Sequence, residues 1–331
     1  MKPKDKRDPS WDSLKVFLIF LVVFGHFLSD DQGYVERAVH TFIFLFHMPL
    51  FAFVSGFFTN VANKEKLIAG TKRIFETFIV WHTIGYFIIG LCFWKLDFTL
   101  STFLTPIWHY WYLLSLVLWR VVAITSDKLF AGKPYLIISL ALALSLIVGF
   151  FTSIGDILSL SRTFVFSPFF VAGWTLRETT FLSIVRRPRY KVISKVIIIL
   201  YVVVVLLFPN WGRAIYGDDP YVIAYNSALQ GLLMRGAFLI SAVLLSLSFI
   251  NLWYGVTVFA KNGKNTLGVL IYHSWMILLL KHVIGLNLLL SIPVSIIVYC
   301  ICNELASSNI SRKLLNPFSY AKRALDGGGK I

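Results

Sequence analysis

The sequence has few charged residues and lacks the usual signatures of soluble enzymes. Only 14% of the 331 residues are charged, whereas 57% are hydrophobic, a balance outside the range of ordinary soluble domains. The three cysteines, Cys92, Cys300 and Cys302, all lie in apolar segments, and their spacing fits neither a disulfide framework nor a metal site. Nucleophile-elbow, Walker, His-Glu-x-x-His and dinucleotide-binding motifs are missing. A serine triad, nucleotide-driven transport and zinc chemistry therefore receive no support, and we predict no metal.

Acidic residues are the scarcer charged class. The chain has 31 Lys and Arg against 16 Asp and Glu, which gives a formal net charge of +15. In a soluble protein this excess would suggest a nucleic-acid partner. In a membrane protein it marks the cytoplasmic loops, so we predict membrane lipids and no nucleic acid as partners.

Long apolar runs predict an all-α integral membrane protein. A single segment that crosses the membrane must satisfy its own backbone N–H and C=O groups, and a helix does so within the segment. An outer-membrane barrel would need short alternating strands, which these unbroken runs exclude. We predict about ten transmembrane helices, with boundaries set to within several residues. They cover residues 13–29, 40–59, 74–94, 106–125, 134–152, 163–177, 192–209, 228–251, 266–282 and 284–303.

The loop charges indicate that both termini are cytoplasmic. With the N-terminus inside, the outer segments hold only Arg37, Lys95, Arg162, Arg213 and Lys281, whereas the inner segments hold most other lysines and arginines. The first span has a basic start but no clear cleavage site, so we predict a retained helix rather than a signal peptide. Residues 1–304 form the predicted membrane domain and residues 305–331 a cytoplasmic tail, with no soluble domain.

The first span carries titratable residues on one stripe. Lys15 and His26 are eleven residues apart, or about 16 Å along a helix, and eleven steps of about 100° return to nearly the same face. Asp12 falls close to that stripe. Titratable groups inside a membrane segment usually line a pathway or a site. The alternative is a histidine satisfied by a polar group of a neighbouring helix.

Later spans carry further candidates. His47 lies before Pro49 in the second span and, because successive helices run in opposite directions, is positioned to meet His26. The fourth span opens with His109 and Trp111, where the aromatic residues indicate either an interfacial belt or a platform on which a sugar stacks.

Cations in or beside the spans are also candidates. Arg162 is one of the few positive residues on the predicted outer side, whereas most lie in the inner segments. Arg235 is an intramembrane cation without an evident partner in the sequence. Each either anchors a neighbouring group or holds an anionic ligand. His273 follows a turn and a helix cap at Gly263–Asn265, and its position two turns into the ninth span predicts a location nearer the inner face than that of His26.

Five motifs in order resemble the acyltransferase 3 family of membrane-bound O-acyltransferases, and most closely its fucose 4-O-acetylase-like branch. They are Lys15 to His26, Phe46 to Gly56, Trp108 to Leu113, Arg162 to Gly173 and Lys264 to His273. Together they cover essentially the whole chain. Two features depart from the family: Lys15 stands where many members have Arg, and Lys72-Arg73 followed by Glu76 replaces an Arg-x-x-Arg pair.

The resemblance implies transfer of an acyl group, acetyl in this branch, from cytosolic acyl-CoA to a hydroxyl of a cell-surface glycan or lipid-linked saccharide. It also implies a multi-pass protein of the bacterial inner membrane with acetyl-CoA as donor substrate and no permanently bound cofactor. His26 would be the general base or, as a variant, would carry the acyl group, with Lys15 and Asp12 setting the charge nearby. The implied substrate-binding residues are His47, His109, Trp111, Arg162, His273 and Arg235, and Lys72 and Arg73 would hold the donor phosphates.

Two other functions remain open at the level of sequence. A transporter or flippase for a lipid-linked saccharide would share the aromatic residues, the intramembrane cations and the ten helices. It would have less need for an inner anion site aligned with a histidine in the membrane. A structural scaffold fits poorly with so many intramembrane histidines.

Overall fold

The computed structural model describes residues 8–28, 33–93, 99–177, 179–281, 288–316 and 318. The described residues are predominantly helical and contain no strand, which confirms the all-α class. The helices are α1 (Pro9–Phe27), α2 (Tyr34–Phe57), α3 (Lys64–Phe93), α4 (Leu100–Leu104), α5 (Trp111–Phe130), α6 (Pro134–Ile147), α7 (Leu160–Leu176), α8 (Phe181–Val185), α9 (Lys191–Leu207), α10 (Tyr221–Ala224), α11 (Ala228–Trp253), α12 (Thr266–Lys281), α13 (Leu288–Ser307) and α14 (Asn309–Leu314).

Several helices are long and apolar enough to cross a membrane, so the chain is a multi-pass membrane protein. Within the described ranges these are seven, namely α1, α2, α3, α7, α9, α11 and α13. Two shorter apolar helices, Pro134–Phe150 and Thr266–Leu280, add to them. Every predicted span overlaps one of these nine helices or α5, while the count of ten crossings and the orientation of both termini stay predictions.

Sequence features mark where the helices begin and how they tolerate proline. The side chain of Asp8 accepts a hydrogen bond from the backbone N–H of Ser10 at 2.9 Å, and Pro9 takes the first helical position of α1. In α7, Pro168 cannot donate to the carbonyl of Phe164 four residues earlier. The hydroxyl of Ser167 donates to that carbonyl instead, at 2.8 Å, which keeps the polar group satisfied inside the bundle.

Helix α2 is the centre of the bundle and packs against α1, α7, α9 and α11. Its crossing with α7 is a very close approach of two backbones. A Cβ atom added at Gly56 would overlap the carbonyl oxygen of Phe170, and one added at Gly173 would overlap the carbonyl oxygen of Phe53. Gly56 lies three residues after Phe53 on α2, and Gly173 lies three residues after Phe170 on α7. The crossing is therefore symmetric, with a glycine against a carbonyl on each side, and it leaves no room for a side chain.

The outward faces of the bundle are apolar, as expected of a surface that meets lipid. On α9 the exposed residues include Val192, Ile199 and Leu207. Of the cysteines whose side chains the structure describes, Cys300 on α13 is exposed and Cys302 on the same helix is buried.

The first part of the predicted tail packs against the membrane domain. The hydroxyls of Tyr272 on α12 and Ser311 on α14 lie 2.7 Å apart, and the hydroxyl of Thr77 donates to the carbonyl of Leu315 at 2.9 Å. Residues 319–331 lie outside the described residues. The division at residue 304 stays a prediction.

Candidate active site

An open cavity of about 410 Å³ lies at the end of the bundle where α1 ends and α2, α5 and α7 begin. This is the end that the loop charges assign to the outer side. Imidazole, aromatic and cationic side chains form much of its wall. The lining residues are Val22, Gly25, His26, Leu28, His40, Phe44, His47, Met48, Trp108, His109, Trp111, Arg162, Phe166, Ile215, Tyr216 and Leu270.

Three histidines from different parts of the chain meet at the inner wall of this cavity. The ring centroids of His26 and His109 are 3.5 Å apart, and that of His273 lies 4.7 Å from His109 and 5.9 Å from His26. One ring nitrogen from each histidine lies within 4.8 Å of the others. His273 is fully buried, whereas His26 and His109 are half-buried beside the open space. We call these three residues the histidine cluster.

The level of His273 differs from the sequence prediction, which placed it nearer the inner face than His26. The Nζ atom of Lys15 on α1 donates to the carbonyl of Gly263, just before α12, at 3.1 Å. Lys15 of α1 and Gly263, just before α12, therefore lie at the same level of the bundle, and the two helices run side by side from there. His26 follows Lys15 by eleven residues and His273 follows Gly263 by ten, so both rings lie about 15–16 Å further along.

A short segment of α12 positions the residues around His109. The Nδ1 atom of His109 lies 3.0 Å from the hydroxyl of Ser274, and the indole N–H of Trp275 donates to the hydroxyl of Tyr110 at 3.1 Å. Trp108, directly before His109, has φ of +47°, a left-handed conformation that bulky residues rarely adopt. Its ring packs edge-on against Trp275 at 5.2 Å. These contacts fix the turn that directs His109 toward His26.

Arg162 forms the charged part of the cavity wall. Its guanidinium lies 2.6 Å from a carboxylate oxygen of Asp218 and 3.4 Å from one of Asp156, and 5.5 Å from the centre of the Trp111 ring. The same oxygen of Asp218 lies 2.9 Å from Arg213. The side chain of Asp218 is only 4% exposed, so this shared carboxylate fixes Arg162 and neutralises much of its charge.

Two groups of this network, both outside the membrane-spanning segments, have perturbed pKa values. Burial raises the pKa of Asp156; Arg162 opposes that shift, and the carboxylates of Asp218 and Asp219 add to it. Burial lowers the pKa of Arg213, but the neighbouring Asp218 and Asp219 outweigh burial and raise its pKa above the ordinary value. The network therefore keeps Arg213 charged beside the mouth of the cavity.

The structure brings together most of the residues that the sequence singled out. His26, His47, His109, Trp111 and Arg162 line the cavity, and His273 completes the histidine cluster. The Nδ1–H of His47 donates to the carbonyl of Ile43 at 2.8 Å, which fixes that ring against its own helix.

Arg235 lies apart from the cavity wall. It is 2% exposed on α11, with its guanidinium carbon 5.7 Å from the centre of the Tyr221 ring. Its Nε and Nη1 atoms have no hydrogen-bond acceptor among the described residues. Arg235 is not among the residues that line the cavity, and its role in substrate binding stays a prediction.

The other cationic candidates also lie away from the histidine cluster. Lys15 forms an ion pair of 2.6 Å with Asp12, one helical turn earlier, at the opposite end of α1 from His26. Lys72 and Arg73 are exposed on α3, and the Nζ of Lys72 lies 3.9 Å from a carboxylate oxygen of Glu76. These residues do not touch the cavity that holds His26.

Sequence reasoning missed several residues of the site. His40 and Phe44 lie on the same face of α2 as His47, and their spacing of three to seven residues was an available signal. Ser274 and Asp218 carried no signal of their own. Their roles depend on contacts with His109 and Arg162, which are distant in sequence.

Comparison with known proteins agrees with the resemblance seen in the sequence. Residues 8–303 match the model of the acyltransferase 3 family, described as an acyltransferase domain. The chain is also 27% identical over 270 residues to nodulation protein NolL of Sinorhizobium fredii (strain NBRC 101917 / NGR234), which covers 75% of this chain and 70% of that protein. No solved structure matches. Since the family match spans most of the chain and includes the whole histidine cluster, this membrane protein belongs to the acyltransferase 3 family and is an acyltransferase.

Proposed function

We propose that this chain is an O-acetyltransferase of the bacterial inner membrane. It moves an acetyl group from acetyl-CoA to a hydroxyl of a cell-surface glycan or lipid-linked saccharide. The observation that carries this proposal is the histidine cluster at the wall of an open, aromatic-lined cavity. An imidazole beside a space large enough for a sugar ring is suited to deprotonate a hydroxyl group.

The cavity wall fits a saccharide acceptor. The faces of Trp108, Trp111 and Tyr216 offer apolar surfaces against which the C–H face of a pyranose packs. His47 and Arg162 add polar groups that bind hydroxyl or phosphate oxygens. The acceptor would enter from the end of the bundle that the charge pattern assigns to the outer side.

The reaction needs one proton acceptor. The acceptor hydroxyl attacks the thioester carbonyl of acetyl-CoA, and a ring nitrogen of His26 takes the hydroxyl proton. The C–S bond then breaks, the sugar ester forms, and coenzyme A leaves as the thiolate, which takes the proton to become the thiol. Such general-base assistance is worth about 10²–10⁴-fold. His26 is the member of the cluster that borders the cavity from α1, the helix that also carries Lys15.

The donor would approach from the opposite end of the bundle. Lys15 lies about 16 Å from His26 along α1, a span comparable to the pantetheine arm. In this proposal the exposed cations Lys72 and Arg73 on α3 would hold the phosphates of coenzyme A.

Acetyl transfer by the purified chain tests this proposal. Full-length protein is incubated with radiolabelled acetyl-CoA, with and without a membrane glycan extract. We expect label to pass to base-labile glycan esters only when both are present. A folded protein that neither binds nor consumes acetyl-CoA would contradict the proposed donor. Movement of a labelled lipid-linked saccharide across vesicles without acetylation would favour the flippase.

We predict that Arg162→Ala impairs use of the acceptor. The change removes one of the two cations that contact the nearly buried carboxylate of Asp218, and the cation beside Trp111. Because Arg213 still neutralises Asp218, we expect only a small fall in melting temperature together with a higher KM for the acceptor. Arg213→Ala is the matched control, because it leaves the contact between Arg162 and Asp218 in place. Equal kinetic effects of the two changes would contradict a direct role for Arg162.

We predict that Lys15→Ala weakens use of the donor more than use of the acceptor. The change removes the cation on the donor side of α1 and its bond to Gly263. Steady-state kinetics are expected to show a higher KM for acetyl-CoA and a nearly unchanged KM for the acceptor. Asp12→Asn, which keeps the Lys15 cation, should leave the KM for acetyl-CoA near that of wild type. A fall in kcat alone in both variants would assign the pair to helix packing instead.

A further inference from the structure

We infer that the histidine cluster is a binding site for a divalent transition-metal ion of the Zn²⁺ class. Three imidazoles from α1, α12 and the turn before α5 each offer one ring nitrogen within 4.8 Å of the others. Sequence motifs did not indicate this site, because each histidine comes from a different, distant segment.

The cluster has the ligand chemistry that Zn²⁺ favours. Neutral imidazole nitrogens suit zinc and its neighbours in the first transition series, whereas Mg²⁺ and Ca²⁺ prefer oxygen ligands. The three-histidine group includes no carboxylate. Three protein ligands with an open fourth position also match the pattern of accessible zinc sites. Here the fourth position would face the cavity.

His273 is already oriented as a ligand. Its Nδ1 atom lies 2.9 Å from the carbonyl of Val269, and since a carbonyl only accepts, Nδ1 carries the proton. The lone pair is then on Nε2, which is buried and has no hydrogen-bond partner among the described residues. A metal-bound histidine in proteins almost always donates its other ring N–H to such an acceptor. A metal ion in the cluster would give this buried nitrogen a partner.

The other two histidines of the cluster border the open cavity. In a tetrahedral site with Zn–N distances of about 2.1 Å, ligating nitrogens are about 3.4 Å apart. The rings of His26 and His109 are half-buried at the cavity wall, and metal binding would require these side chains to rotate until their ring nitrogens converge. Ser274, 3.0 Å from Nδ1 of His109, supplies the outer hydrogen bond for the second ring.

Metal binding has a consequence that rests on the proposed function. A ring nitrogen bound to Zn²⁺ has no lone pair for the proton of an attacking hydroxyl. Zn²⁺ is therefore expected to inhibit acyl transfer, and removal of the ion by a chelator to restore it.

Metal content measures the site directly. The full chain is purified in detergent with a histidine-free tag, stripped with a chelator and dialysed against Zn²⁺, and bound zinc is quantified by plasma mass spectrometry. We expect one ion per chain for wild type. His273→Gln and His109→Gln should each lower the affinity at least about tenfold, and Ser274→Ala about 10–100-fold. His40→Gln is the matched control, because it removes a histidine of the same cavity from outside the cluster.

A second probe distinguishes loss of the metal site from poor folding of a variant. Co²⁺ bound in a tetrahedral site gives visible absorption, so wild type and His40→Gln should develop the same spectrum, and monodisperse His109→Gln should not. Equal zinc content in all variants, or binding of less than one ion by wild type, would overturn the site.

The two proposals fail separately. A chain that binds one Zn²⁺ through the cluster but transfers no acetyl group would refute the proposed function and keep the site. Protein that transfers acetyl groups but binds no metal through the cluster would refute the metal site and keep the proposed function. Activation by Zn²⁺ would overturn the inhibitory consequence.

Discussion

Replacing His26 by alanine is expected to lower acetyl transfer by about 10²–10⁴-fold, the usual contribution of a general base, while the protein stays folded. His26 is half-buried at the cavity wall, so its removal enlarges an open space instead of creating a sealed void. The measurement is the initial rate of label transfer from acetyl-CoA, with the melting temperature recorded for the same sample. Wild-type transfer by a well-folded variant would exclude His26 as the base.

Chemical rescue separates a base from a residue that only supports the site. The cavity of about 410 Å³ has room for a free imidazole molecule in place of the missing ring. We expect added imidazole to restore part of the transfer by His26→Ala and to leave wild type unchanged. A variant that stays inactive at every imidazole concentration, with an altered melting temperature, would assign His26 a structural role.

The second large effect is expected at the crossing of α2 and α7. Gly56→Ala and Gly173→Ala each place a methyl group on a backbone carbonyl of the other helix. No side-chain rotation relieves that overlap, so the helices must separate, and overpacking of this kind costs about 1–3 kcal/mol or more. We expect a lower melting temperature for each variant and reduced transfer, because α2 and α7 carry His47 and Arg162.

A control and a double variant make this prediction specific. Gly236 on α11 has no atom within 4 Å of an added Cβ, so Gly236→Ala should melt at or above the wild-type temperature. Because Gly56 and Gly173 face each other across the same crossing, their effects should not add in the double variant. Two fully additive losses, or an equal loss in Gly236→Ala, would contradict backbone overlap at the crossing as the cause.

The same sites show how far sequence reasoning reaches. The class of the protein followed from apolar runs of membrane-spanning length, because the membrane imposes helical structure on such segments. The stripe from Lys15 to His26 followed from helical periodicity, and α1 is indeed continuous over both residues. The cost of polar residues within a membrane singles out His47. Arg162 stands out as a positive residue on the outer side, and His109 through the aromatic residues beside it.

What the sequence determined by itself was local and periodic: the helices, their apolar faces, and the set of polar residues inside them. Which of those residues meet was decided only by tertiary structure. The level of His273 depends on the bond between Lys15 and Gly263, two segments far apart in the chain. The pairing of Arg162 with Asp218 and the contact of His109 with Ser274 depend in the same way on how distant helices pack. Periodicity fixes the direction of a side chain from its own helix axis, but the relative height and rotation of two helices come from packing at contacts such as Gly56 and Gly173.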